Sequence, residues 1–149
     1  LNLGDPQAVR EAAATMHADS FLVEEMVSGA MAELLVGAVL DPAHGYVLTL
    51  GAGGVLTELM ADTISLLIPA TPQAVAVALC RLRLYPLLQG YRGMPGADID
   101  AVVAAVTAAQ AYVLAHHGRI EEVEINPLLC GISRAVAADA LIRIGGLDD

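Results

Sequence analysis

Lysine and tryptophan are absent from this sequence, phenylalanine occurs once, and all seven basic residues are arginine. Without lysine, a Walker-type phosphate loop cannot be built from these residues. Against seven arginines stand 17 acidic residues, for a net charge of −10, and a field of that sign repels nucleic-acid phosphates. Two cysteines, Cys80 and Cys130, have no metal-type spacing, and a reducing cytoplasm is the expected compartment. Long apolar runs are missing too. The charge-free stretches 63–80 and 101–118 fall short of a membrane span: Pro69 and Pro72 break the first, and the second is rich in Ala and Val and carries Gln110, His116 and His117. No basic segment followed by an apolar one and a cleavage site opens the chain, so no secretory signal is expected.

What is present is apolar mass. The hydrophobic set makes up 56% of the residues, mean hydropathy is +0.63, and 27 residues are alanine. Such a composition collapses and excludes disorder. A length of 149 residues suits one domain. The opening on Leu1 rather than Met, with this apolar content, predicts a piece of a larger protein. It also fits a large covered interface, with other domains or in an oligomer.

Periodicity predicts an α+β domain with an antiparallel sheet, in the order αββββααββ. Asp5-Pro6 starts a helix over 6–18, with Val9, Ala13 and Met16 at helical spacing. Strands are expected at 21–27, 31–40 and 46–50, the last two joined by the turn Asp41-Pro42-Ala43-His44-Gly45. Gly51-Ala52-Gly53-Gly54 reads as a loop, followed by a short element near 56–62 and a strand near 64–69. Thr71-Pro72 caps a helix reaching Tyr85, with Pro86 ending it. A glycine-rich loop spans 89–96, Asp98 caps the longest helix, and Gly118 closes it. Two strands, 120–130 and 135–144, complete the chain.

The chemistry concentrates in that last hairpin. In Glu122-Val123-Glu124-Ile125-Asn126-Pro127, alternation places Glu122, Glu124 and Asn126 on one face and the apolar residues on the other. With Ile132-Ser133 as a two-residue turn, paired positions sum to 265, which sets Asn126 opposite Asp139. Asp139 stands alone in an apolar strand, where an unpaired carboxylate is costly. Oxygen ligands converging from facing strands suit Mg²⁺. The same pattern also fits a solvated edge with an incidental Asp. Glu33 is the one carboxylate in Met31–Leu40 and, on pattern alone, reads first as a water-facing edge position and second as a ligand contact. Gly53 and Gly54 offer backbone N–H groups to a phosphate, or simply make a tight turn. Glu24 and Glu25 fit plain surface charge. The four histidines have no nucleophilic or metal partner at motif spacing, and no nucleophile is visible.

Three segments, Phe21–Val27, Ala32–Pro42 and Leu50–Val55, resemble the ATP-grasp domain of ADP-forming acyl-CoA synthetases, the acetate–CoA ligase (ADP-forming) family related to the succinyl-CoA synthetase β chain. The likeness continues through Tyr85–Gly93, Glu124-Ile-Asn-Pro-Leu128 and Ala138-Asp-Ala140, in order along nearly the whole chain. It implies the C-terminal subdomain of an ATP-grasp fold, with ATP or ADP and Mg²⁺ as cofactors and CoA bound elsewhere in the parent. By the resemblance, Glu24, Glu25, Met26 and Val27 form the hinge that meets adenine, and Glu33 contacts the ribose side. Gly53 and Gly54 lie near the phosphates; Asn126 and Asp139, with Glu124 beside them, hold the metal. The family's upstream ATP-grasp half, its CoA-binding domain and its phosphorylated histidine match nothing here, so they are the expected partners and the chain alone is an incomplete catalyst. Where relatives carry Asp-Ala-Arg, this chain has Asp139-Ala140-Leu141. The same module also occurs fused to protein acetyltransferases, so a regulatory module, or an interaction domain, is the alternative expectation.

Overall fold

A computed structural model describes residues 2–54 and 61–145. The elements run α1 (Pro6–Thr15), β1 (Ala32–Asp41), β2 (Gly45–Ala52), β3 (Thr63–Leu67), α2 (Pro72–Cys80), α3 (Tyr85–Gln89), α4 (Ile99–Ala115), β4 (Ile120–Cys130), β5 (Ala135–Ala137) and β6 (Ala140–Ile144). The sheet order is β3-β2-β1-β4, with β5 and β6 both paired to β4, and every pairing is antiparallel. The fold is the expected α+β arrangement.

Local chemistry explains most of the boundaries. Asp5 Oδ1 accepts from the N–H groups of Gln7 and Ala8, both at 2.8 Å, and Pro6 supplies the first helical turn of α1. The β1–β2 turn is tied by Asp41 Oδ1, which accepts from Ala43 N at 2.9 Å and His44 N at 2.8 Å. The His44 ring and these two amides hold the Asp41 carboxyl below its usual range. Thr71 and Asp98 cap α2 and α4 through their side chains.

Register sorts the side chains into rows across the sheet. Ile125, Val36, Leu50 and Ile64 form one row, and Val123, Ala38, Leu48 and Leu66 another. Against these rows pack Val75 and Leu79 of α2 and Val102 and Val106 of α4, all fully buried. Each such side chain contributes about 1.5–3 kcal/mol by leaving water. A smaller cluster joins Tyr46, Val113, Ile120 and Val123, with the Tyr46 hydroxyl donating to the Ile120 carbonyl. Buried Gln110 accepts from Ala70 N at 2.7 Å and so fixes the exit from β3 to α4.

The opposite face differs. Its rows read Arg143, Glu122, Val39, Val47, Leu67 and Leu141, Glu124, Gly37, Thr49, Ser65. Val39, Leu67 and Leu141 remain 42%, 58% and 59% exposed, so this face is only partly covered.

Four expectations need correction. Residues 21–27 form no strand: they pair with no neighbour, and an extended segment without a ladder stays irregular. The first helix stops at Thr15 rather than 18. The helix begun at Pro72 ends at Cys80, and Pro86 starts α3 instead of terminating α2. A proline lacks the N–H that a first helical turn leaves unpaired anyway, so it opens a helix as readily as it closes one. Finally, Asp139 sits in a gap between β5 and β6 and is exposed, so its carboxylate is solvated and carries no burial cost. The short element expected near 56–62 falls mostly outside the described residues.

Candidate functional site

The hairpin register is the one expected from a two-residue turn. Gly131 N donates to Arg134 O at 2.9 Å across Ile132-Ser133, and Leu128 pairs with Ala137 and Ile125 with Ala140. Asn126 and Asp139 face each other in the gap, where Asn126 N donates to Asp139 O at 3.2 Å.

On its other side β4 carries a bulge. Leu34 pairs with Leu128 and Val36 with Ile125, so Asn126 and Pro127 together stand against Leu35 alone. The extra residue inverts the alternation: Val123 and Ile125 face the helices before it, Leu128 and Cys130 after it. Asn126 is the last residue before that inversion and lies on the same face as Glu124.

The side chain of Asn126 is organised from both ends. Its Oδ1 accepts from Gly54 N at 2.9 Å, and its Nδ2 donates to Glu124 Oε1 at 3.5 Å. This joins the loop after β2 to the last hairpin. Gly53 N donates to Glu33 O at 2.9 Å, which draws the same loop against the start of β1. The approach is close enough to demand glycine: a Cβ on Gly53 would sit 2.5 Å from the Leu34 carbonyl carbon. At Gly54, with φ +60°, a Cβ would lie 1.8 Å from Glu33 Oε2. Glu33, Gly53, Gly54, Asn126 and Glu124 are therefore one contiguous group, with the Asp139 main chain at its edge.

Glu33 and Gly53 also line a cavity of about 360 Å³ walled by Met31, Ala52, Leu84 and Leu87. Asp62, which the sequence reading passed over, supports that wall. It is buried, its Oδ2 accepts from Leu84 N at 3.1 Å, and its carbonyl accepts from Ala52 N at 3.2 Å. A lone acidic residue opening an apolar strand was its only sequence signal.

Glu24, Glu25 and Met26 lie apart from this group, exposed on the irregular segment before β1. Val27, half-buried, lines a cavity of about 190 Å³ with Ser28, Gly29, Leu129 and Ile132. Glu25 is bound at both carboxylate oxygens by the Arg134 guanidinium, which holds its carboxyl below the usual range. Arg134 was not singled out in the sequence.

Among the described residues, no three His, Cys, Asp or Glu side chains converge as a metal cluster. The Asn126, Glu124 and Asp139 set offers amide and carboxylate oxygens, the hard donors Mg²⁺ takes, and leaves most positions to phosphate and water. Asn126 Oδ1, already fixed on Gly54, retains a second lone pair.

Comparison with known proteins agrees with this architecture. Residues 1–144 match the ATP-grasp domain model, and the chain belongs to that family. It is 30% identical over 116 residues to the acetate–CoA ligase (ADP-forming) II subunit beta of Pyrococcus furiosus, covering 76% of this chain and 49% of that protein. It is 34% identical over 158 residues to the trans-feruloyl-CoA synthase FCS1 of an unknown prokaryotic organism, covering 97% of this chain and 22% of that one. Among solved structures, the apo dinucleotide-forming acetyl-coenzyme A synthetase 1 of Ca. Korarchaeum cryptofilum superposes with a TM-score of 0.84 at 28% identity, over 97% of this chain and 70% of that one. The same synthetase in complex with coenzyme A and Mg-AMPPCP gives a TM-score of 0.73 at 28% identity, over 80% and 55% of the two chains. The chain thus spans half or less of the length of these curated relatives.

Proposed function

We propose that this chain is the nucleotide- and Mg²⁺-binding ATP-grasp portion of an ADP-forming acyl-CoA synthetase. The parent reaction is carboxylate + CoA + ATP ⇌ acyl-CoA + ADP + phosphate, passing through a phosphohistidine located elsewhere. The observation that carries the reading is the Gly54–Asn126 hydrogen bond, which brings the glycine loop, Glu33 and the last hairpin into one oxygen- and N–H-rich group. The Korarchaeum synthetase, similar over most of this chain, holds Mg-AMPPCP with its phosphohistidine segment pointing towards the nucleotide site. The missing ATP-grasp half and the CoA-binding domain belong to the remaining length of the parent.

In this reading Glu24 to Val27 meet adenine, largely through main-chain groups, since the Glu25 carboxylate is already engaged by Arg134. Glu33 orients the ribose, while Gly53 and Gly54 leave room for phosphate oxygens to approach the backbone. Asn126, Glu124 and Asp139 hold the metal. Mg²⁺, when bound, neutralises charge on the phosphoryl group being transferred. The chain's own contribution is positioning: Asn126 holds Gly54 in place, so loop and hairpin present their groups at a fixed spacing. Two free cysteines support a reducing, cytoplasmic location, and no helix among the described residues is long and apolar enough to cross a membrane.

Thermal unfolding with and without Mg-ADP tests the reading. A ligand at 100 times its Kd adds about 2.7 kcal/mol, a shift of several degrees in a domain of this size. The shift should vanish with EDTA and in Asn126→Ala, and persist in Asn126→Asp, which retains a side-chain oxygen. A shift insensitive to EDTA and retained in Asn126→Ala refutes the assignment.

A further inference from the structure

The segment proposed to meet adenine is held to the domain by one polar contact. Among the described residues, 17–30 make no other hydrogen bond or ion pair than those between Glu25 and Arg134, and the next tie is Met31 N donating to Cys130 O at 2.7 Å. The segment has no strand partner, and Leu22, Val23 and Met26 are 83%, 65% and 53% exposed. Arg134 is the last residue of the turn closing the β4–β5 hairpin, the hairpin whose far end carries Asn126 and faces Asp139. Its guanidinium takes both Glu25 oxygens, a two-point contact that fixes direction as well as distance. Beneath it, Val27 to Ala30, Leu129 and Gly131 to Arg134 share the walls of one cavity.

We infer that Arg134 is a positioning residue that latches the segment 24–27 onto the hairpin bearing the proposed metal ligands, so that the adenine side and the phosphate side of the nucleotide site keep a fixed separation. This rests on the nucleotide-binding reading above, but the latch can be tested without it. Because the pair is exposed, its removal leaves the global fold in place and acts on the segment locally.

The test is NMR backbone relaxation of the 149-residue chain without nucleotide, followed by calorimetric titration with Mg-ADP. Arg134→Ala should lower the order parameters of 21–30 from the rigid range, about 0.85, to below about 0.6, while those of β1 and β4 stay as in the wild type. It should also weaken Mg-ADP by roughly three- to tenfold. Arg134→Lys, which keeps the charge but loses the planar fork, should fall between the two. The double exchange Glu25→Arg with Arg134→Glu should restore the high order parameters, which a residue needed only for the turn would not do. Unchanged order parameters in Arg134→Ala overturn the latch whatever nucleotide does. Lowered ones with undiminished Mg-ADP affinity overturn the positioning role. Lowered ones in a chain whose wild type binds no Mg-ADP support the latch and count against the nucleotide reading instead.

Discussion

The two faces of the sheet follow opposite rules. One carries Val36, Leu48, Leu50 and Val123 under α2 and α4, and the one carboxylate buried beside it among the described residues, Asp62, is committed to the Leu84 amide. The other carries Glu33, Glu122, Glu124 and Asn126 beside apolar residues left half-exposed. Adjacent residues of one strand therefore serve different ends: Leu48 and Leu50 hold the domain together, and Thr49 between them belongs to the open face. Stability and the proposed recognition are separated by the pleat, so damage to one need not damage the other.

The sharpest way to break this comparison is to cut into the covered face. Leu50→Ala should cost about 3 kcal/mol in chemical denaturation, while Thr49→Ala should stay within about 0.5 kcal/mol. Comparable losses at both positions would erase the distinction. Thiol labelling sharpens it: buried Cys130, whose thiol desolvation pushes up to about 12, should react only as the sheet opens, whereas exposed Cys80 reacts at once. Cys130 labelling should accelerate in Leu50→Ala.

Gly53→Ala comes next, because its new methyl meets the Leu34 backbone at the seam between the faces. Overpacking of that kind costs roughly 1–3 kcal/mol and should also displace Gly54 from Asn126. Asn126→Ala should cost about 1 kcal/mol, the worth of one hydrogen bond, with far more lost in ligand response than in melting temperature. Last is Arg143→Ala. Arg143 pairs with exposed Glu121 and with Glu122, whose side chain is 20% exposed, so a change of at most about 1 kcal/mol, shrinking in salt, is expected.

Acid offers an independent probe of the segment before β1. The Glu25 carboxyl is held below its ordinary value of 4.5 by Arg134, so its contribution is complete above that value and is lost as pH falls through the lower folded one. Backbone order parameters at 21–30 should fall on that side of neutrality and not on the alkaline side.

Much of this molecule was legible because its signals are local. The Asp5, Thr71 and Asp98 caps, the Asp41 turn and the 265 register of the last hairpin each depend on residues within a few positions of one another. Asn126 opposite Asp139 followed from turn length alone. Residues 21–27 were misread because apolar alternation gives strand potential, while a strand also needs a partner, and none is paired to it here. Pro86 was misread because proline punctuates helices at either end. Asp139 looked costly because the gap between β5 and β6 cannot be seen from composition. The Gly54–Asn126 and Glu25–Arg134 contacts span 72 and 109 positions, and nothing local announces either.

The bulge at Asn126-Pro127 has a further consequence. Strand β4 is two half-strands out of phase, and the proposed site sits at the phase boundary. Deleting Pro127 would bring the halves into step with Leu128 and Cys130 still facing the core, and would leave Asn126 no seam to occupy. Packing alone is therefore satisfied without the extra residue. What the insertion adds is the seam itself, a point in a continuous strand where an asparagine can answer to a loop 72 positions away.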